Sequence, residues 1–190
     1  MQDVYEEKRS CRKAMRRLLA AQERSEAMKK SNAASLALIS LDAFKRANIV
    51  MAYMAMKHEC NPEFAVKTAI ELGKTVVFPR CIENGGLELY AASRPEDFSV
   101  GAYGILEPIP DRCRLVSPAE LDFIIVPGVC FSKKCVRLGQ GGGYYDRLLS
   151  STPAFKCGFC FDFQVMDEVP HEAHDAVCDC VTTNEFTVFS

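Results

Sequence analysis

Four glycines crowd into five residues of this chain, Gly139-Gln140-Gly141-Gly142-Gly143, inside the longer run Arg137 to Arg147. Glycine loses more backbone freedom on folding than any other residue. Such density therefore needs a return, either unusual φ values or close approach of backbone N–H groups to a ligand. Tyr145 to Leu149 reads as the start of a helix, with Leu148 and Leu149 turned inward. A glycine loop that opens a helix offers unbonded N–H groups and a positive dipole end to an anion. Phosphate is the expected anion; a plain glycine-rich surface turn is the alternative.

Around that loop the chain alternates strands and helices. Residues 3 to 23 are predicted helical, with Asp3 as cap. Cys11, Met15, Leu18 and Leu19 mark one face, and Arg9, Arg12, Lys13 and Arg16 another, read mostly as solvated. A second helix is expected from Ser25 to about Arg46. Asn48 to Met54 is a strand by its length and its Ile, Val and Tyr content. A helix over 62–72 follows, opened by Pro62 and closed by Gly73. Thr75 to Pro79 is the next strand, so residues 48–79 make a right-handed unit with a parallel strand pair. Leu87 to Ala91 should return antiparallel after the turn at Asn84-Gly85-Gly86. Residues 93–116, rich in Pro, Gly and Arg, read as a surface connection with 103–108 packed on the body, and Ser117-Pro118 as a capped turn. Leu121 to Val126 is the most apolar strand and belongs at the centre of the sheet. Phe155 to Phe161 and Val177 to Thr182 complete the strands.

The expected architecture is one α/β domain over residues 1–190, a mixed, mainly parallel sheet with helices on both faces, Rossmann-like. Ligands of such sheets bind beyond the carboxyl ends of the strands. The loops at 55–61, 127–143 and 162–175 lie there.

Charge and composition narrow the partner. A net charge of −2 and a pI near 6.0 argue against a general nucleic-acid binder. No apolar run is long enough to cross a membrane, and the first residues lack the apolar core of a secretion signal. A cytoplasmic monomer acting on small molecules is expected. The ten cysteines then read as reduced thiols used for packing.

The glycine run is not a Walker A loop, which needs Gly-x-x-x-x-Gly-Lys-Ser/Thr. It is not a dinucleotide fingerprint either, since Tyr144 takes the third glycine position and the run starts some ten residues past its strand. A phosphate cradle flanked by arginines remains. Asp146, directly after it, is either a magnesium ligand bridging phosphates or a carboxylate favoured by the helix dipole.

Leu121-Asp-Phe-Ile-Ile-Val-Pro-Gly-Val-Cys-Phe131, followed by Arg137 to Arg147, closely resembles the 5-formyltetrahydrofolate cyclo-ligase family. Lys8-Arg9-Ser10-Cys11-Arg12 resembles its basic N-terminal motif, Tyr53 to Glu59 its folate segment, and Phe161-Asp-Phe-Gln164, Pro170 and His174-Asp175 its C-terminal pattern. The resemblance implies conversion of 5-formyltetrahydrofolate and ATP to 5,10-methenyltetrahydrofolate, ADP and phosphate, with Mg²⁺. It implies ATP contacts from Lys8, Arg9, Ser10, Cys11 and Arg12, and from Arg137, Leu138, Gly139, Gln140, Gly141, Gly142, Gly143, Tyr144 and Tyr145. It implies folate contacts from Arg12, Met54, Glu59, Gln140, Gly141, Gly142, Gly143 and Tyr144. The metal would be held by Asp146 and Asp175, and Arg137 and Tyr144 are the expected catalytic residues. The substrates could be polyglutamylated. Two positions depart from the family: an aspartate after the phenylalanine and a glycine before the Arg-Leu-Gly run are here Ser132 and Cys135. A lysine found in some members at the third place of the glycine run is here Gly142.

The residue types suit that chemistry. A formamide oxygen leaves poorly until phosphorylated; N10 can then close the ring as phosphate departs, and the protein's part is positioning and charge neutralisation. Glu59 could accept two hydrogen bonds from a pterin edge, Tyr144 could cover a planar ring, and Met54 could form an adaptable wall. As plain structure the same three would be a loop glutamate, a core aromatic and a strand residue. A zinc or redox site built on Cys157-Gly-Phe-Cys160, His171, His174, Cys178 and Cys180 is the rival reading. Against it, a three-residue offset on a strand sends Cys157 and Cys160 to opposite faces, whereas Cys178 and Cys180 would share one. A kinase for another small molecule is the third reading, one with no use for Glu59.

Overall fold

Apolar strands bounded by glycine and proline assemble here into an eight-stranded sheet. The computed structural model describes residues 2–82, 85–101, 104–172 and 175–190, the side chains of Gln2 and Asp3 excepted. The Asp3 cap, Asn84 of the expected turn, Tyr103 and His174 thus lie outside the described residues. Five strands form a parallel core: β1 (Ile49–Met51), β2 (Thr75–Cys81), β7 (Phe123–Val126), β10 (Phe155–Phe159) and β12 (Cys180–Thr182). Antiparallel strands close both sides, β3 (Leu87–Ala91) and β6 (Arg114–Val116) beyond β2, and β13 (Thr187–Phe189) beyond β12. The order is β13-β12-β10-β7-β1-β2-β3-β6, so the fully buried β7 is central, as its apolarity predicted.

Successive residues of a strand face opposite sides, and two apolar clusters follow from that. Val50, Phe123, Ile125 and Phe159 pack under α1 (Gln2–Ala21), α2 (Arg24–Ser40), α3 (Asp42–Arg46) and α4 (Glu63–Glu71), through Met15, Leu38, Phe44 and Ala65 among others. Met51, Ile124 and Val126 pack on the other side under Leu148 and Leu149 of α5 (Tyr144–Ser150). Helices therefore cover both faces. Phe44 meets Phe123 edge to face at 5.6 Å, and truncating either to alanine should cost about 3–5 kcal/mol.

This order positions a ligand crevice. β1 crosses through α4 to β2 on one side, while the next strand of the main sheet after β7, β10, lies on the other side. The connections leaving adjacent β1 and β7 diverge, and the crevice opens at their carboxyl ends. Both loops that leave these strands belong to the site described below.

Several elements differ from the sequence expectation. The second helix is capped by Glu23, whose carboxylate accepts from Ser25 N and Glu26 N, and it breaks at Leu41 (φ −61°, ψ 135°) before α3. The break aims Phe44 into the core, and its burial offsets the lost helical turn. Strand β1 pairs over three residues; Ala52 N still donates to Val77 O at 2.9 Å, and the chain then leaves the sheet. The stretch 93–116 is more than a connection: β4 (Phe98–Val100) and β5 (Leu106–Pro108) form a hairpin and β6 joins the main sheet. The loop after β7 likewise holds β8 (Cys130–Ser132) and β9 (Arg137–Leu138), which with β11 (Val165–Met166) make a small three-stranded sheet. Cys178 and Cys180 do not share a face: Cys180 packs with Cys157, and Cys178 lies in the other cluster before β12 begins.

Candidate functional site

The glycine loop leaves β9 and turns into α5 through Gly141 (φ 107°) and Gly143 (φ 68°), values that side chains tolerate poorly. At its entry, Ser132 and Cys135 make the turn expected there of an aspartate and a glycine. Ser132 Oγ accepts from Lys134 N (3.2 Å) and Val136 N (3.1 Å), the acceptor part an aspartate could play. Cys135 is left-handed at φ 60°, where glycine would sit freely, and its side chain is fully buried.

Helix α1 lies against the loop. Lys8, Arg12 and Arg16 fall at four-residue spacing and share one face. Arg12 Nε donates to Gly139 O (2.8 Å) and Arg16 Nη2 to Gln140 Oε1 (2.7 Å). Lys8 Nζ pairs with Asp175 (2.6 Å) and Glu172 (2.7 Å). Burial alone would lower the Lys8 pKa, but these two carboxylates hold it above its ordinary value.

Beneath the loop Arg137 is 6% exposed. Its Nε donates to Pro127 O (2.8 Å), its Nη1 pairs with Asp146 (2.8 Å), and its guanidinium lies 5.3 Å from the Tyr145 ring. Arg147 stacks on Tyr144 at 5.6 Å and donates to Gly142 O at 3.2 Å and to Gly85 O. The Tyr145 hydroxyl is buried with no hydrogen-bond partner among the described residues. Burial raises its pKa. Glu59 sits on the loop after β1, next to His58 at φ 72°. Burial raises its pKa against the pull of a bond from Met56 N (2.9 Å), of Gln140 and of Arg137.

Two cavities share the loop as a wall. The first, about 440 Å³, is lined by Met54, Glu59, Gln140 and Gly141 to Tyr144. These are all the expected folate contacts except Arg12. Arg137, Tyr145 and Asp146 also line it. The second, about 840 Å³, is lined by Lys8, Arg12, Gly139, Gly141, Gly143, Asp146 and Asp175, with Arg147, Lys156 and Glu172. It gathers part of the expected ATP set. Arg9 points outward to Glu6, Ser10 and Cys11 line a groove on another side of α1, and Leu138 is core.

Arg147 was expected as the second arginine flanking the cradle, whereas Arg16 and Lys156 were not expected at the site. Arg16 was legible, since it continues the Lys8, Arg12 spacing; Lys156 carried no local signal, being one lysine on a strand. As for metal, Asp146 and Asp175 face one cavity and each pairs with a cation. Among the described residues no three His, Cys, Asp or Glu side chains converge. Two carboxylates suit magnesium, which usually takes one or two together with substrate phosphates. The Cys157–Cys160 pair is split between the two cores, each thiol held up in pKa by burial.

Comparison with known proteins gives a consistent family. The model of the 5-formyltetrahydrofolate cyclo-ligase family matches residues 4–184. A probable 5-formyltetrahydrofolate cyclo-ligase of Schizosaccharomyces pombe is 31% identical over 164 residues, covering 78% of this chain and 80% of that protein. A 5-formyltetrahydrofolate cyclo-ligase of Mycolicibacterium smegmatis is 30% identical over 70% of this chain and 72% of its own. The solved structure of 5,10-methenyltetrahydrofolate synthetase from Aquifex aeolicus superposes with a TM-score of 0.86 at 32% identity, covering 96% of this chain and 92% of that one.

Proposed function

Since this chain belongs to the 5-formyltetrahydrofolate cyclo-ligase family, we propose that it closes 5-formyltetrahydrofolate to 5,10-methenyltetrahydrofolate at the expense of ATP. The observation that carries this is the shared wall: one glycine loop borders both a small cavity holding Glu59 and Tyr144 and a larger one lined by cations. A phosphoryl donor on one side and its acceptor on the other would meet there.

The γ-phosphate is proposed to lie on the glycine loop, with Lys8 and Arg12 neutralising its charge. The formyl oxygen attacks it and ADP leaves. N10 then attacks the activated formyl carbon, the N10 proton departs, and phosphate leaves as the ring closes. Glu59 fixes the pterin edge through two accepted hydrogen bonds, Met54 and Tyr144 wall the ring, and Gln140 ties Arg16 to the loop. Arg137, buried and engaged with Pro127 O and Asp146, fits a positioning role: it orients Asp146 and supports the loop. Asp146 and Asp175 would hold magnesium, which would screen phosphate charge. No side chain serves as nucleophile.

The direct test mixes the protein with MgATP and 5-formyltetrahydrofolate and follows the methenyl chromophore. ATP-dependent absorbance growth is expected; its absence would sink the assignment.

A further inference from the structure

Glu107 sits on β5, 9% exposed, and lines the smaller cavity. Among the described residues no cation pairs with it. Among the described residues the hydrogen bonding of its side chain is confined to Cys81, whose N donates at 3.4 Å, the long end of the range, and whose thiol lies beside it. Its carboxylate presses on Gly101, where a Cβ would collide with it. A carboxylate buried this poorly satisfied is costly to hold unless donors reach it from elsewhere. The cavity it lines is the direction from which they can come.

The chemistry of the ligand proposed above says which donor. The pterin ring of 5-formyltetrahydrofolate carries three N–H sites: the 2-amino group, N3 and N8. Glu59 can take the first two as a pair, which leaves N8–H. In the oxidised ring of folic acid N8 has no hydrogen and presents a lone pair, which a carboxylate repels. We propose that Glu107 accepts the N8–H hydrogen bond and thereby selects the reduced over the oxidised pteridine. This rests on the folate reading of the cavity and makes Glu107 a specificity residue, outside the phosphoryl-transfer chemistry.

Equilibrium binding of 5-formyltetrahydrofolate and of folic acid, measured on the full chain without ATP, tests it. The wild type should favour the reduced ligand, and in Glu107→Gln that preference should fall about tenfold, because the carboxamide can turn its NH₂ to the N8 lone pair. Gly101→Ala keeps the carboxylate but displaces it, and should lower the preference in the same direction; it decides the matter if Glu107→Gln fails to fold. An unchanged ratio in a folded variant, including equal weakening of both ligands, overturns the role of Glu107 alone. If the wild type binds neither pteridine, the folate reading falls and this inference with it.

Discussion

At the scale of single residues, Glu59 makes the clearest pH prediction. Its folded pKa is raised above the ordinary 4.5 mainly by burial. As an acceptor of two N–H bonds it must be ionised, so folate affinity is present above that raised pKa and lost as pH falls through it. The KM for folate should therefore climb in mildly acidic buffer, before an ordinary carboxylate would protonate, and Glu59→Gln should remove this limb while leaving the KM for ATP nearly unchanged. Stability without ligand runs the other way: a raised carboxyl pKa makes the folded state most stable while protonated, and that contribution is lost as pH rises through the folded pKa. A denaturation series across that window checks the sign. Arg12 bridges α1 and Gly139 O. Arg12→Ala should raise the KM for ATP roughly 10–100-fold, the loss of a charge-assisted bond; an unchanged KM would remove α1 from the nucleotide site. The glycines could be picked from the sequence because their pattern is local, whereas Glu59 stood out only through the family resemblance, since a loop glutamate alone reads as surface. Glu107 could not be picked, because its meaning comes from burial beside Cys81 with no cation paired to it among the described residues.

At the scale of elements, the turn between β8 and β9 is the informative piece. Ser132→Ala leaves the buried Val136 N–H without its Ser132 Oγ acceptor, which should cost about 1–2 kcal/mol. Cys135→Val puts a β-branched residue at φ 60° and should cost about 1–3 kcal/mol. Chemical denaturation reads both, and a neutral Cys135→Val would contradict the left-handed geometry. Strands β1, β2, β7, β10 and β12 were legible from their β-branched, aromatic and small apolar residues, and β3 from the alternation of Leu87-Glu-Leu-Tyr-Ala91 after a glycine turn. Strands β4, β5, β8, β9 and β11 have two or three residues, too few for any alternation to register, and they exist through pairing alone. The break at Leu41 had no proline or glycine to announce it and follows from where Phe44 must go. The site was legible as a list of segments, but not as two cavities, because the side chains of one helix point in several directions: Lys8 and Arg12 face the glycine loop, and Arg9 faces solvent.

At the scale of the whole molecule, one loop serving two cavities implies that the substrates sense each other. Ordering Gly141 and Gly143 for one ligand reduces what the second must order, so the expected coupling is positive. A non-hydrolysable ATP analogue should tighten 5-formyltetrahydrofolate, and the folate should tighten the analogue by the same factor, as linkage requires. Calorimetric titrations in both orders would expose a failure. The Lys8–Asp175 ion pair carries another consequence, for the order in which this part of the fold can assemble. Its partners stand far apart in sequence, 164 residues and more when Glu172 is counted with Asp175. On the ribosome the first helix emerges with Met15 and Leu19 uncovered, and the acids that pair with Lys8 are made 164 residues later or more. Until those acids are made the ion pair cannot form, and in that interval the exposed amphipathic helix is a natural client for a chaperone.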